Sequence, residues 1–380
     1  SGKHNNWSLS TNTGENLFKP GNSPYDNTQF LLFLAAVIKA VDEYQDLLRI
    51  SVASASNDHR LGAAEAPPAI ISIYLGDELT AVLDAIAKGK EYSVVKRGKM
   101  EVGVSSLPEF AKDTSDRNRT SPFAFTGNKF EFRMVGSSQS VADPNMTLNT
   151  IMADALSDFA DFLEANEQDG DIEKRARELV RSTLIEHGRI IFNGNNYSNE
   201  WTEEAERRGL CNYRTAADAI PHLRDPKNIK LFEKHRIFIE AEIDSRTEIM
   251  LENYFKVVKI EAQTMLAMVR CDIMPAVYSY IEKLSKMIID KRTAGLPDGR
   301  ENDTARRICA GADELYDAVG VLDKAIAGSD SPADAEAAAF YMKNEVLPAM
   351  QDVRAVSDAL ETNIGREYWP FPVYGDIILH

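Results

Sequence analysis

Polar and apolar positions alternate from His4 to Ser10, placing His4, Asn6 and Ser8 on one face of a predicted strand and Asn5, Trp7 and Leu9 on the other. A polar face of this kind wants a ligand or water. After the turn residues Gly21 to Pro24, the residues Phe30, Leu31, Leu34, Val37, Ile38, Val41 and Leu48 fall at helical spacing and predict one amphipathic helix over 30–50. Pro67 and Pro68 forbid a helix interior, so 51–72 reads as a loop entering a strand at Ala69 to Tyr74. A short helix is predicted over Asp77 to Lys88. Gly89 to Lys112, with Val94-Val95 and Val102-Gly103-Val104, reads as short strands or a surface insertion.

The clearest strand pattern is Phe130 to Val135. Phe130, Phe132 and Met134 share one face, for a core, and Glu131 and Arg133 share the other, a carboxylate beside a guanidinium. Helices follow over Asn145 to Ala165 and Ile172 to Ile191. Asn228 to Lys291 then predicts a long helical stretch interrupted only by Pro275, with two more helices at 301–327 and 332–364. Long helices joined by loops such as Gly295 to Arg300 suggest an antiparallel bundle or a protruding hairpin. The expected class is α+β: a sheet-containing part over 1–165 and a helical region over 166–380.

The 380 residues are 44% hydrophobic and 27% charged, the composition of a soluble globular protein. A formal net charge of −16 repels a phosphate backbone, so nucleic acid is not the expected partner and any anion site must be built from a few placed cations. Cys211, Cys271 and Cys309 fit neither a disulfide framework nor a CxxC site and read as reduced thiols in a cytoplasmic protein. No apolar run approaches the roughly 20 residues needed to span a membrane, and no signal segment is expected. The start at Ser1, without Met, suggests a piece of something longer or a trimmed chain.

Four stretches in the first 135 residues concentrate the groups catalysis needs: His4 to Ser10, His59 to Pro68, Asp116 to Ser121, and Lys129 to Arg133. Arg117, Arg119, Lys129 and Arg133 form a local cationic cluster suited to a doubly anionic substrate pair, or else a solvated charge run. His4 and Glu131 can supply an imidazole and a hard carboxylate to one divalent cation, although such a pair also arises by chance. Glu65, in a loop of small residues and prolines, is either a mobile acid or base or a solvent-facing glutamate.

Taken in order, these stretches resemble the glutamine synthetase family. Ser-Gly-Lys-His-Asn-Asn-Trp-Ser-Leu-Ser at 1–10 resembles the family's Gly-Ser-Gly-Met-His-x-His-x-Ser-Leu motif, entered partway through. His59 to Pro67 resembles its Arg-Leu to Glu-Ala-Pro segment, Asn118 to Ser121 its Asn-Arg-Ser motif, and Glu131-Phe132-Arg133 its Glu-x-Arg strand. The run over 118–133 and the helical tail point to the type III branch. The resemblance implies part of a catalytic domain built on an antiparallel sheet with packed helices, followed by a long helical region. It implies glutamine made from glutamate, ammonia and ATP through a γ-glutamyl phosphate, in a ringed homo-oligomer, a dodecamer in the family. Carried over residue by residue, it makes His4 and Glu131 ligands of a Mg²⁺ or Mn²⁺ ion. Arg119 becomes the γ-phosphate clamp, Arg60 and Arg133 the glutamate contacts, and Glu65 the flap residue that takes a proton from ammonium. Asn6, Ser8 and Lys129 fall at nucleotide positions.

Two departures bear on the nucleotide: Asn6 stands where the family has a second His, and Ala124 where it has an Arg. The family's remaining carboxylates and its N-terminal β-grasp domain would lie before Ser1, so the chain alone is expected to hold half of a site. The competing expectations are a helical assembly module that retains an inactive half-site, and a kinase of the guanidino-phosphotransferase type, which gives no reason for the Glu65 segment.

Overall fold

The computed structural model describes residues 2–63, 66–92, 99–100, 110–111, 119–165, 171–297, 299–372 and 374–378. Packing divides the chain into two units, Ser1–Thr247 and Glu248–His380. Within the first unit, helices that follow residue 171 pack back on those that precede 165.

Strand formation in the first unit follows the period-two pattern. The strands are β1 (Gly2–Trp7), β2 (Ile73–Tyr74), β3 (Lys99–Met100), β4 (Phe110–Ala111), β5 (Phe123–Phe125) and β6 (Phe130–Gly136). Four of them form a sheet in the order β1-β6-β5-β2, and β3 pairs separately with β4. The β5–β6 hairpin closes where the Thr126 amide donates to the Lys129 carbonyl (2.8 Å), with Gly127 at φ +92, a left-handed conformation that glycine adopts without a Cβ clash. The sheet is mixed rather than antiparallel throughout: β2 runs parallel to β5, because a long excursion lets the chain return in the same direction. The strand expected from Ala69 shortens to two residues. Phe18, Phe123, Phe130 and Phe132 are fully buried and make the aromatic core, with Phe123 stacked on Phe130 at 4.8 Å between centroids.

The helices of this unit are α1 (Thr28–Glu43), α2 (Gln45–Ile50), α3 (Ala55–Asp58), α4 (Asp77–Ala87), α5 (Ala142–Ala165), α6 (Ile172–His187), α7 (Asn199–Arg207), α8 (Ala216–Ala219) and α9 (Pro226–Lys234). The Asn27 side chain accepts from the Phe30 amide and starts α1, whose apolar stripe is buried against α5 and α6. The single helix expected over 30–50 breaks at Tyr44 (φ −119, ψ 32). There the Tyr44 hydroxyl donates to Asp154 and the Gln45 amide donates to the Asp42 carbonyl, so side chains replace the helical pattern. The helix expected to reach Ile191 ends at His187 and passes into a 3-10 turn over Gly188–Ile190.

The helical stretch expected to be interrupted only at Pro275 is broken earlier. Arg236 adopts φ +55, its amide donates to the Glu233 carbonyl (3.0 Å) and the Ile237 amide donates to the Phe232 carbonyl (2.9 Å), the paired bonds of a Schellman cap on α9. The next helix is α10 (Glu240–Met268). At Pro275 the chain stays helical: a π-turn over Val269–Ile273 leads into α11 (Met274–Thr293). The wider i→i+5 turn accommodates a ring that would strike the carbonyl four residues back and has no N–H to donate. The same device recurs at Pro348.

The second unit continues with α12 (Glu301–Gly328), α13 (Ala335–Tyr341), α14 (Leu347–Glu361) and α15 (Tyr374–Ile378), the π-turn Met342–Val346 lying before α14. The loop after α11 is short, so α12 runs back along it, and α14 packs against α12 as well. Ile308, Leu315, Leu322, Val353 and Leu360 are buried there. Gly311 permits the close approach, since a Cβ on it would stand 2.8 Å from Leu360 Cδ2. No helix among the described residues is long and apolar enough to cross a membrane. The three cysteines are free thiols.

Candidate active site

Two buried contacts decide which face of β1 is open. The Asn5 amide donates to Asn145 Oδ1 (2.9 Å) and the Trp7 indole donates to Asn149 Oδ1 (2.9 Å), both on α5. His4, Asn6 and Ser8 therefore point away from α5 and are exposed, as the alternation predicts. Opposite His4 the pairing of β1 with β6 shifts, from Lys3↔Val135 to Asn5↔Phe132, so β6 carries one extra residue.

On that open face Glu131 Oε2 lies 3.5 Å from His4 Nδ1. The same oxygen accepts from Arg133 NH2 (3.1 Å) and Nε (3.3 Å), and Arg133 NH1 donates to the Ser121 carbonyl (3.4 Å). Glu131 is 5% exposed and Arg133 8%, so the second face of β6 is nearly as buried as its core face. A buried carboxylate is tolerable here because the guanidinium beside it is held in place and compensates its charge. The His4 side chain is 63% exposed and borders solvent.

His4 and Glu131 suit a hard divalent cation, because ligand distances of about 2.1 Å to each span their separation at an ordinary coordination angle. Among the described residues no three His, Cys, Asp or Glu side chains converge, so this pair would contribute two ligands of a larger set.

Arg60 docks beside the bulge. Its Nε donates to Asn57 Oδ1 (3.0 Å) and its NH2 to the Met134 carbonyl (2.6 Å). Arg119 is exposed. Its neighbour Thr120 accepts from the Asn196 amide (3.0 Å), while Asn196 Oδ1 accepts from the Ser72 hydroxyl (2.9 Å), so a fully buried asparagine anchors the segment that carries Arg119. Nothing in the sequence marks Asn57 or Asn196, since an isolated polar residue has no period. Glu65 and Arg117 lie outside the described residues. The residues flanking Glu65, including Leu61, Ala66 and Pro68, form one wall of a cavity of about 610 Å³ whose other wall includes Asn212 and Thr215.

The residues expected at nucleotide positions divide. The Asn6 amide donates to the His4 carbonyl (3.3 Å). Ser8 donates to the Asn128 carbonyl (2.9 Å) and accepts from the Asn16 amide (3.0 Å), so its hydroxyl clamps the β5–β6 hairpin. Lys129 is half-buried at the end of that hairpin. Beside it, Asn16, Lys19, Asn27 and Asn128 border a second cavity of about 780 Å³.

Asp58 sits two residues before Arg60. Its carboxylate accepts from Arg49 NH2 (2.9 Å) and the Ala216 amide (2.6 Å), yet burial outweighs both and pushes its pKa up to about 6.

These features define an α+β protein whose sheet brings an imidazole, a carboxylate and a guanidinium to one open face. Residues 175–292 match the model of the glutamine synthetase C-terminal domain. Over its whole length the chain is 40% identical to a type-3 glutamine synthetase of Dictyostelium discoideum, covering 52% of that protein. It is 41% identical to a glutamine synthetase of Butyrivibrio fibrisolvens, covering 54%, and 37% identical to one of Bacteroides fragilis, covering 53%. The chain thus resembles the C-terminal domain of glutamine synthetases over 175–292 and spans about half the length of the curated relatives it matches.

Proposed function

We propose that the chain forms part of an ATP-dependent glutamate–ammonia ligase of the type III branch, with 1–165 as the C-terminal part of the catalytic domain and 166–380 as a helical region. The observation that carries this reading is the convergence of His4, Glu131 and Arg133 on one face of the sheet.

The division of labour follows from charge and position. Arg133, held against Glu131, presents a fixed guanidinium to a carboxylate of glutamate, and Arg60 supplies a second. Arg119 draws the γ-phosphate of ATP toward the glutamate side chain, and the γ-carboxylate attacks its phosphorus as the bond to the β-phosphate oxygen breaks, giving γ-glutamyl phosphate and ADP. Lys129 supplies a cationic contact to the nucleotide phosphates. Bound by His4 and Glu131, a Mg²⁺ or Mn²⁺ ion would neutralise charge on the transferring group. Glu65 takes a proton from ammonium and its segment shields the acyl phosphate from water, after which ammonia displaces phosphate. Further carboxylates come from residues preceding Ser1 and from neighbouring copies in a ring.

The test is γ-glutamyl hydroxamate formation with Mn²⁺, run on this chain and on a version extended upstream of Ser1. Activity in the extended form is the expected result. Activity in neither form would sink the enzyme reading in favour of a helical assembly module with an inactive half-site.

A further inference from the structure

Asn57 is 2% exposed and uses its amide fully. Its Nδ2 donates to the Val52 carbonyl (2.8 Å) and to the Met134 carbonyl (2.9 Å), and its Oδ1 accepts from Arg60 Nε (3.0 Å). Met134 lies where β6 bulges against β1, and its carbonyl also accepts from Arg60 NH2. A guanidinium fixed at both Nε and NH2 has its plane fixed, so the direction of NH1 is set as well. That third nitrogen lies against Gly2. A Cβ there would stand 2.7 Å from Arg60 NH1, 3.0 Å from Cζ and 2.9 Å from the Val135 carbonyl oxygen, a backbone atom that cannot swing aside.

We infer that Asn57 is a positioning residue for Arg60, and that Gly2 keeps open the space into which Asn57 aims that guanidinium. The inference rests on the proposed role of Arg60 as a contact for substrate glutamate. Asn57 is held from two sides, at the Val52 carbonyl and at β6, so it cannot rotate without breaking a buried hydrogen bond. The arginine it orients therefore starts from one conformation, and glutamate need not order a flexible side chain on binding.

In the extended, active form, Asn57→Ala should raise KM for glutamate about tenfold and leave kcat and KM for ATP within about twofold. Gly2→Ala approaches Arg60 from β1 and should likewise raise KM for glutamate, which keeps the test decisive if Asn57→Ala folds poorly. In an Arg60→Ala background, Asn57→Ala should add less than about twofold, as expected of two residues that act as one. An unchanged glutamate KM, or equal losses for glutamate and ATP, overturns the inference while leaving the ligase reading standing. An inactive wild type would instead defeat that reading, and the positioning is then decided on this chain by hydrogen exchange of the ¹⁵N-labelled Arg60 Nε–H. It should exchange slowly in the wild type and at least about tenfold faster in Asn57→Ala; equal rates would overturn the inference.

Discussion

His4 Nδ1 and Glu131 Oε2 stand 3.5 Å apart on neighbouring antiparallel strands, one side chain largely exposed and the other buried. The carboxylate is held by Arg133, and His4 is the member of the pair that borders solvent. Glu131→Ala and Glu131→Gln should each abolish turnover of the extended form. The glutamine variant retains an acceptor for Arg133 and so separates loss of the charge from loss of the arginine's partner. His4→Ala and Glu131→Gln should also weaken Mn²⁺ binding measured by calorimetry, by an expected 10-fold or more each, roughly 1.4 kcal/mol. Near-normal turnover in Glu131→Gln would refute its role as a ligand.

Phe130 starts the strand that carries Glu131 and Arg133, and it meets Phe18 edge-on at 5.3 Å and Phe123 face-on at 4.8 Å. It has no solvent exposure. Phe130→Ala leaves a cavity within this cluster and should cost about 3–5 kcal/mol in urea unfolding. Phe130→Leu fills most of the space and should cost less than half as much. Similar losses for both would mean that aromatic pairing, not volume, holds the strand.

The strands that frame the site are legible because alternation is a local signal: Glu131, Arg133, His4 and Asn6 can be assigned to faces from spacing alone. Helix interruptions are less so. The break at Tyr44 depends on Asp154, 110 residues away, and the cap at Arg236 puts an ordinary side chain where glycine is expected. Pro275 reads as a break because a π-turn depends on neighbouring backbone and not on composition, whereas the helix expected over 332–364 does run through Pro348, with a π-turn before it. Ser8 was recognisable as polar, but its partner Asn128 is distant in sequence, so a hairpin clamp could not be told from a ligand contact. Asn57 and Asn196 matter through tertiary contacts only.

Arg236 is the only non-glycine residue with positive φ among the described residues. An L side chain in this region costs about 1–2 kcal/mol, whereas the extra chain entropy lost by glycine costs about 0.5–1. Arg236→Gly should therefore raise stability slightly, by up to about 1 kcal/mol, and Arg236→Val should lower it by at least that amount, since β-branching worsens the clash. Urea midpoints with unchanged slopes would measure both. A stabilising valine would show that the Schellman cap does not persist in solution.

Asp154 ties α5 to two other elements of the first unit. Its Oδ1 accepts from Lys234 Nζ (2.6 Å) and His235 Nε2 (3.0 Å), and its Oδ2 from the Tyr44 hydroxyl (3.0 Å). Burial by itself would raise the pKa of this carboxyl, but the hydrogen bonds from Lys234, His235 and Tyr44 together outweigh it and hold the value below the ordinary 3.8. A folded-state pKa below the unfolded one means that the carboxylate stabilises the fold above 3.8 and loses that contribution as pH falls through the depressed value. Asp154→Asn should thus cost about 2 kcal/mol at neutral pH, the size of a charged hydrogen-bond set in a partly exposed site. The gap between wild type and variant should narrow as the pH falls below 3.8 and through the depressed value, where the native carboxyl also takes up its proton. Urea unfolding of both proteins across that range measures it. A gap that stays constant with pH would show that Asp154 contributes through packing and neutral hydrogen bonds, and that the ionic tie between α5 and α9 is not formed.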